Sequence, residues 1–205
     1  GEVASRIIVD TLNAKAGTDV FSARRTGLPV PEQWVADAIQ TANEAVFAHR
    51  QSLGTDMGST LVMAYVVGQQ AYVGHVGDSR AYLVEEERIR QITTDHSLVE
   101  RLIATGQITR EEARHHQQKN VIYKTIGDRS RVEPDIDLVN FQPGQWLLLC
   151  SDGLNDVVDD DTIFKIVTTA ASPQEAVDNL IQAANNAGGD DNVTAVLVQF
   201  IAPRD

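Results

Sequence analysis

One cysteine, Cys150, stands in the whole 205-residue chain, which rules out an internal disulfide and suits a reducing compartment, so a cytoplasmic location is expected. Basic residues are scarce: 17 Lys and Arg stand against 29 Asp and Glu, a formal charge of -12. No chain-wide positive field is present to hold phosphate backbones or anionic lipid, so no nucleic-acid partner is expected. No apolar run approaches the roughly 18 residues that span a bilayer. Gly1-Glu2-Val3-Ala4-Ser5 also lacks the charged-then-apolar pattern of a signal peptide, so no membrane partner is expected, and the chain opens as if inside a helix. Neither repeats nor low-complexity linkers divide it. With 42% hydrophobic residues it can bury one substantial core, so 1–205 is expected to be a single soluble domain and a monomer.

Local patterns supply the elements. Val3, Ile7 and Leu12 fall near helical spacing, and Val35, Ile39, Ala42 and Val46 step by four, three and four behind Pro31, which predicts two opening amphipathic helices. Between Thr60 and Gln91 the runs 61–67, 71–76 and 80–84 are short and β-branched, punctuated by Gly68 and Gly77-Asp78, and read as consecutive antiparallel strands. Ser97–His116 reads as a mostly helical insertion, with Thr109 and Glu112 forming a capping box, and 117–131 as loop. Trp146–Cys150 and Val193–Ile201 are apolar runs of strand length, expected to be central and buried. Helices are expected at 160–170 and 172–187, the second capped by Ser172 with Pro173 and Glu175 and ended by Gly188-Gly189. Strands packed on strands with helices outside imply an α+β sandwich.

Three aspartates stand at strand ends. Asp152 follows the 146–150 run directly, and Asp191 precedes the strand that begins at Val193. If those strands are antiparallel neighbours, the two carboxylates share one rim. Such carboxylates repel unless a cation lies between them, and all-oxygen ligands favour magnesium, manganese or calcium over zinc. Asp78, in the turn Gly77-Asp78-Ser79-Arg80, is the third candidate, although an isolated aspartate in a glycine turn is ordinarily turn chemistry.

Val76-Gly77-Asp78-Ser79-Arg80-Ala81-Tyr82, Leu149-Cys150-Ser151-Asp152-Gly153-Leu154 and Asp190-Asp191-Asn192-Val193-Thr194, in this order, resemble signature segments of the type 2C metal-dependent serine/threonine protein phosphatases. Thr94-Asp95-His96-Ser97-Leu98-Val99 and Gly106-Gln107-Ile108-Thr109 resemble the bacterial branch of that family. Asn120-Val121-Ile122 to Gly127 looks like its flap, and Gly58-Ser59-Thr60 like the start of its third strand. The resemblance implies a four-layer αββα sandwich, an antiparallel β-sandwich flanked by helices on both sides. It implies that Asp152 and Asp191 hold a pair of manganese or magnesium ions, with Asp78 and Asp152 holding a third. It also implies a nucleophilic water activated between the metals, and phosphorylated protein substrates of serine/threonine kinases.

The family motifs Arg-x-x-Asn-Glu-Asp and Asp-Gly-Met-Gly-Gly have no counterpart in these residues, so by resemblance the N-terminal strands, the bridging aspartate and the phosphate-gripping arginine are missing. No catalytic side chain is assigned, and weak or absent turnover is expected of the 205 residues alone. His116 and Lys124 replace a usual proline and arginine in the flap. The principal alternative is a non-catalytic binding or regulatory module with the same fold.

Other chemistries fit poorly. A serine esterase built on Gly77-Asp78-Ser79 needs a later histidine, and none follows His116. A cysteine phosphatase needs an arginine a short loop after Cys150, where Asp156 stands, so Cys150 reads as a small buried hydrophobe. His49, His75, His96, His115 and His116 read as loop or helix-surface residues, Arg24-Arg25 as a solvated turn, and Trp34 as a core anchor.

Overall fold

The computed structural model describes residues 1–26, 30–189 and 191–201, of which 20–26 are described as backbone only. Helix α1 (Glu2–Thr26) packs on α2 (Pro31–Leu53), whose buried stripe of Val35, Ala38, Ile39, Ala42 and Val46 follows the expected spacing. Pro31 sits in the first turn, where a missing N–H leaves no helical bond unmade. Val3 is 54% exposed rather than inward, because the buried stripe of α1 runs through Ala4, Ile8 and Leu12 in steps of four. The helix continues through Arg24 and Arg25, where the sequence suggested a turn; their side chains, like Asp190, lie outside the described residues. Trp34 is partly buried, tilts against Tyr65 with ring centroids 4.8 Å apart, and donates its indole N–H to Asp19 at 2.8 Å.

Two antiparallel sheets follow. The first has the order β1 (Leu61–Val67), β2 (Gln70–Val76), β5 (Asp135–Asn140). The second has the order β4 (Ile89–Gln91), β3 (Arg80–Val84), β6 (Trp146–Cys150), β7 (Ala195–Gln199). The consecutive strands expected over 61–91 pair antiparallel as β1 with β2 and β3 with β4, but not all in one sheet: the turn after Val76 carries the chain from one sheet to the other. Gly77 makes that crossing at φ 108, and a Cβ there would run into the Thr60 side chain.

Helices α1 and α2 cover the first sheet, while α6 (Asp160–Thr169) and α7 (Pro173–Asn186) cover the second. This is the expected αββα order. Each of the three interfaces has its own apolar cluster. Val73, Ala81, Leu83, Val139 and Leu147 meet between the sheets. Tyr82, Leu148, Leu154, Ile163 and Leu180 meet under the outer helices. Strand β6 reads as a continuous apolar run because both its faces are buried, Leu147 on one and Trp146, Leu148 and Cys150 on the other.

β7 departs from expectation. Among the described residues it is an edge strand, not a central one, and Val196 and Val198 are 51% and 36% exposed. Strand β5 is unforeseen, since alternating Asp135, Asp137 and Leu138 conceal a pairing with β2 that satisfies its backbone.

The insertion holds two short helices, α3 (Leu98–Ala104) and α4 (Arg110–Arg114). Thr109 and Glu112 form the expected reciprocal cap: Thr109 Oγ1 accepts the Glu112 N–H at 3.2 Å and Glu112 Oε2 accepts the Thr109 N–H at 2.8 Å. The box before α7 is half made, because Glu175 takes the N–H of Ala171 rather than that of Ser172.

Candidate metal centre

Strand register builds the site. Arg80 lies opposite Cys150, and Cys150 opposite Ala195. Asp78 before β3, Asp152 after β6 and Asp191 before β7 thus all leave the second sheet at one end. The antiparallel neighbourhood of β6 and β7 expected from the sequence is present. Ser151 staples their ends. Its N–H donates to Thr194 O at 3.1 Å, its Oγ donates to Asn192 O at 3.1 Å, and the same Oγ accepts the Thr194 N–H at 3.0 Å.

Gly153 permits this approach, since a Cβ there would stand 2.5 Å from Asn192 O. Asp152 opens the one-turn helix α5 (Asp152–Asn155), and its Oδ1 accepts the Gly153 N–H at 2.9 Å. Gly153→Ala is expected to force the two strand ends apart, with a loss of about 1–3 kcal/mol of stability and weaker divalent-metal binding. Thermal melting and a manganese titration of the variant check both.

The three carboxylates differ in setting. Asp78 Oδ1 is buried and has no hydrogen-bond partner. Burial, then the charges of Asp152 and Asp95, push the Asp78 carboxyl up to about 6. Burial also raises Asp152, followed by the charges of Asp191 and Asp156. Asp191 is exposed. Asp152, raised by Asp191 and itself raising Asp78, is therefore the middle member of the row. Among the described residues, no group of three or more His, Cys, Asp and Glu side chains closes into a metal cage. The arrangement is an open rim of oxygen donors with one orphaned oxygen and unrelieved repulsion, which fits a hard divalent cation that keeps much of its water.

A pH effect follows in chelator. The Asp78 carboxyl holds its proton to about pH 6 when folded but only to about pH 4 when unfolded, so folding takes up a proton between those values. The associated stability is complete below pH 4 and is lost as pH rises through 6. Relative to Asp78→Asn, the wild type should lose about 2–3 kcal/mol between pH 4 and pH 7.5, and denaturant melts at both pH values measure it.

A cavity of about 390 Å³ opens beside the rim, lined by Asp78, Asp152 and Asn155 and by Arg110, Arg114 and Lys119 from the insertion and the loop after it. Lys119 pairs with Asp156 at 3.0 Å and Arg110 with Glu100 at 3.3 Å. Arg80 is committed to Asp95 through bonds of 2.7–3.0 Å, with Tyr82 Oη accepting from Arg80 Nη1 at 3.0 Å. Cys150 is 2% exposed and burial pushes its thiol up to about 12, so it is inert filling, as expected.

Two histidines contradict the surface reading. His75, on β2, and His96 are 1% and 2% exposed and stack with ring centroids 4.6 Å apart. Spacing in the sequence could not show this, because their 21-residue separation is closed by tertiary packing alone.

A family model described as protein phosphatase 2C matches residues 10–102. The chain is 41% identical over 206 residues to protein phosphatase PhpP of Streptococcus pneumoniae, covering 98% of this chain and 80% of that one. It is 37% identical over 203 residues to serine/threonine phosphatase stp of Listeria monocytogenes, covering 97% and 79%. The chain belongs to the protein phosphatase 2C family. Solved members share its fold. The serine/threonine phosphatase PstP/Ppp of Mycobacterium tuberculosis superposes with a TM-score of 0.87 at 31% identity, over 98% of this chain and 83% of that one. A catalytic domain of PstP in complex with two manganese ions gives 0.84 at 30% identity, over 98% and 82%. By family the chain is a metal-dependent serine/threonine protein phosphatase of the bacterial type. Among the described residues no helix is long and apolar enough to cross a membrane.

Proposed function

We propose that these 205 residues form a single monomeric phosphatase unit, cytoplasmic, acting on phosphoserine and phosphothreonine in proteins modified by serine/threonine kinases. Asp152 and Asp191 hold a pair of manganese or magnesium ions, and Asp78 and Asp152 hold a third. The observation that carries this reading is the buried, unpartnered Asp78 oxygen beside a carboxylate row centred on Asp152. When bound, the metals supply an acidified water and neutralise phosphoryl oxygens, so no protein nucleophile is required.

The chain's own residues position and exclude. Ser151 and Gly153 fix the separation of Asp152 and Asp191. The cavity of about 390 Å³ beside the rim offers room for a phosphorylated side chain. Arg80, bonded twice over to Asp95, is not free to grip a phosphate, so binding of the phosphoryl group falls to the metals and to groups beyond Arg80.

The test is phosphate release from a phosphothreonine peptide at rising manganese concentration. Slow, chelator-reversible release that Asp152→Asn abolishes is expected. Peptide retention without release at saturating manganese would overturn hydrolysis and indicate a binding module instead.

A further inference from the structure

The turn that carries Asp78 is gripped from both sides by one short segment. Thr93 Oγ1 accepts the Ala81 N–H at 3.1 Å, and Asp95 takes the Arg80 guanidinium. On the other side of Asp78, His96 clasps Gly77 twice: its backbone N–H donates to Gly77 O at 2.9 Å, and its ring Nδ1 accepts the Gly77 N–H at 3.0 Å. A nitrogen that accepts carries no proton, so the His96 proton must sit on Nε2. That atom lies 3.3 Å from Asp135 Oδ1, near in distance though outside good hydrogen-bond geometry. Asp135 is itself held by Lys124 Nζ at 2.9 Å. Burial, then His75 and Lys124, lower the His96 pKa, which keeps the ring neutral and able to accept. The ring is fixed between His75, stacked at 4.6 Å, and Tyr123, tilted at 5.7 Å.

Resting on the assignment of Asp78 as a metal ligand, we infer that His96 is a positioning residue that sets the backbone of the Asp78 turn, with Asp135 selecting the tautomer that can do so. The chain of contact runs from Asp135 in β5, through the imidazole, to the N–H of Gly77, the residue before Asp78. It therefore links the first sheet to the metal rim at the turn where the chain first passes from one sheet to the other. Asp78 Oδ1 has no protein partner, and the carboxylate's one hydrogen bond is to its own backbone, so the backbone around Gly77 and Asp78 aims it. Supporting contacts of this kind typically alter metal affinity about tenfold to a hundredfold.

Calorimetric manganese titration of four variants, each with a chelator-state melting curve, tests the inference. Asp78→Ala is the control for the site: if it binds manganese as the wild type does, the ligand assignment fails, and with it the premise. Given weaker binding by Asp78→Ala, His96→Phe, which keeps the stacked ring but removes the acceptor, should bind about tenfold more weakly while melting near the wild type. His96→Asn, whose Oδ1 can accept the Gly77 N–H, should recover most of that affinity. A purely structural role would show lowered melting in both variants without the rescue. Asp135→Ala leaves Lys124 beside Nε2, which favours the tautomer unable to accept, and should weaken binding several-fold. Asp135 is half exposed, so this variant folds even if His96→Phe does not and decides the matter then. Wild-type affinity in folded His96→Phe, or in Asp135→Ala where His96→Phe does not fold, would overturn the inference.

Discussion

Asparagine at position 152 is expected to abolish manganese-induced stabilisation of the chain and to cut manganese-dependent phosphate release by about a hundredfold or more. Asp152 is the middle of the row, raised by burial and by Asp191, and in turn raising Asp78. Removing its charge therefore removes the proposed shared ligand and a shared repulsion together. The two effects have opposite signs. In chelator the variant should melt higher than the wild type, because Asp78 loses the largest of the like charges that face it. In saturating manganese it should melt lower, because a ligand at a hundred times its dissociation constant stabilises a fold by about 2.7 kcal/mol and the variant forfeits that. Paired melting curves with and without manganese check the crossing. A variant still stabilised like the wild type would contradict the placement of Asp152 at the centre.

Asp95→Ala is expected to destabilise the fold by about 3–5 kcal/mol. The Asp95 side chain is 8% exposed and the Arg80 side chain 21%, and Asp95 accepts from both Nε and Nη2 of the guanidinium. Removing the carboxylate leaves an arginine that cannot lose its charge, with Tyr82 Oη as its remaining side-chain partner. Gln91 loses a contact as well, at 2.9 Å to Asp95 Oδ1. Urea unfolding of the variant measures the loss. An effect under about 1 kcal/mol would place the pair with ordinary surface ion pairs.

Legibility in the sequence followed locality. Strand β6 was readable because burial on both faces leaves a run with no polar residue in it, and α2 because Pro31 and a four-three-four stripe mark its start and its inner face. The Asp152 and Asp191 rim was readable because each aspartate adjoins its strand in sequence, so one assumption about neighbouring strands brings them together. The crossing at Gly77 was not, since a glycine turn between two β-branched runs looks the same whether the chain returns to its own sheet or enters another. The edge position of β7 was hidden for a similar reason: Val196 and Val198 are apolar although they are exposed, so composition alone suggests a buried strand. The Thr93–His96 grip on the Asp78 turn was invisible as chemistry. Its segment carried a family resemblance, but pairing His96 with Gly77 and Asp95 with Arg80 requires the fold.

Whether the three sheet-end carboxylates hold metal decides the proposed function. The most direct measurement is an anomalous difference map from a manganese-soaked crystal of this chain, collected at the manganese absorption edge. Density touching Asp152 and extending toward Asp191 and Asp78 is expected. Density seated instead at the His75 and His96 rings, or a rim without density at saturating manganese, would contradict it.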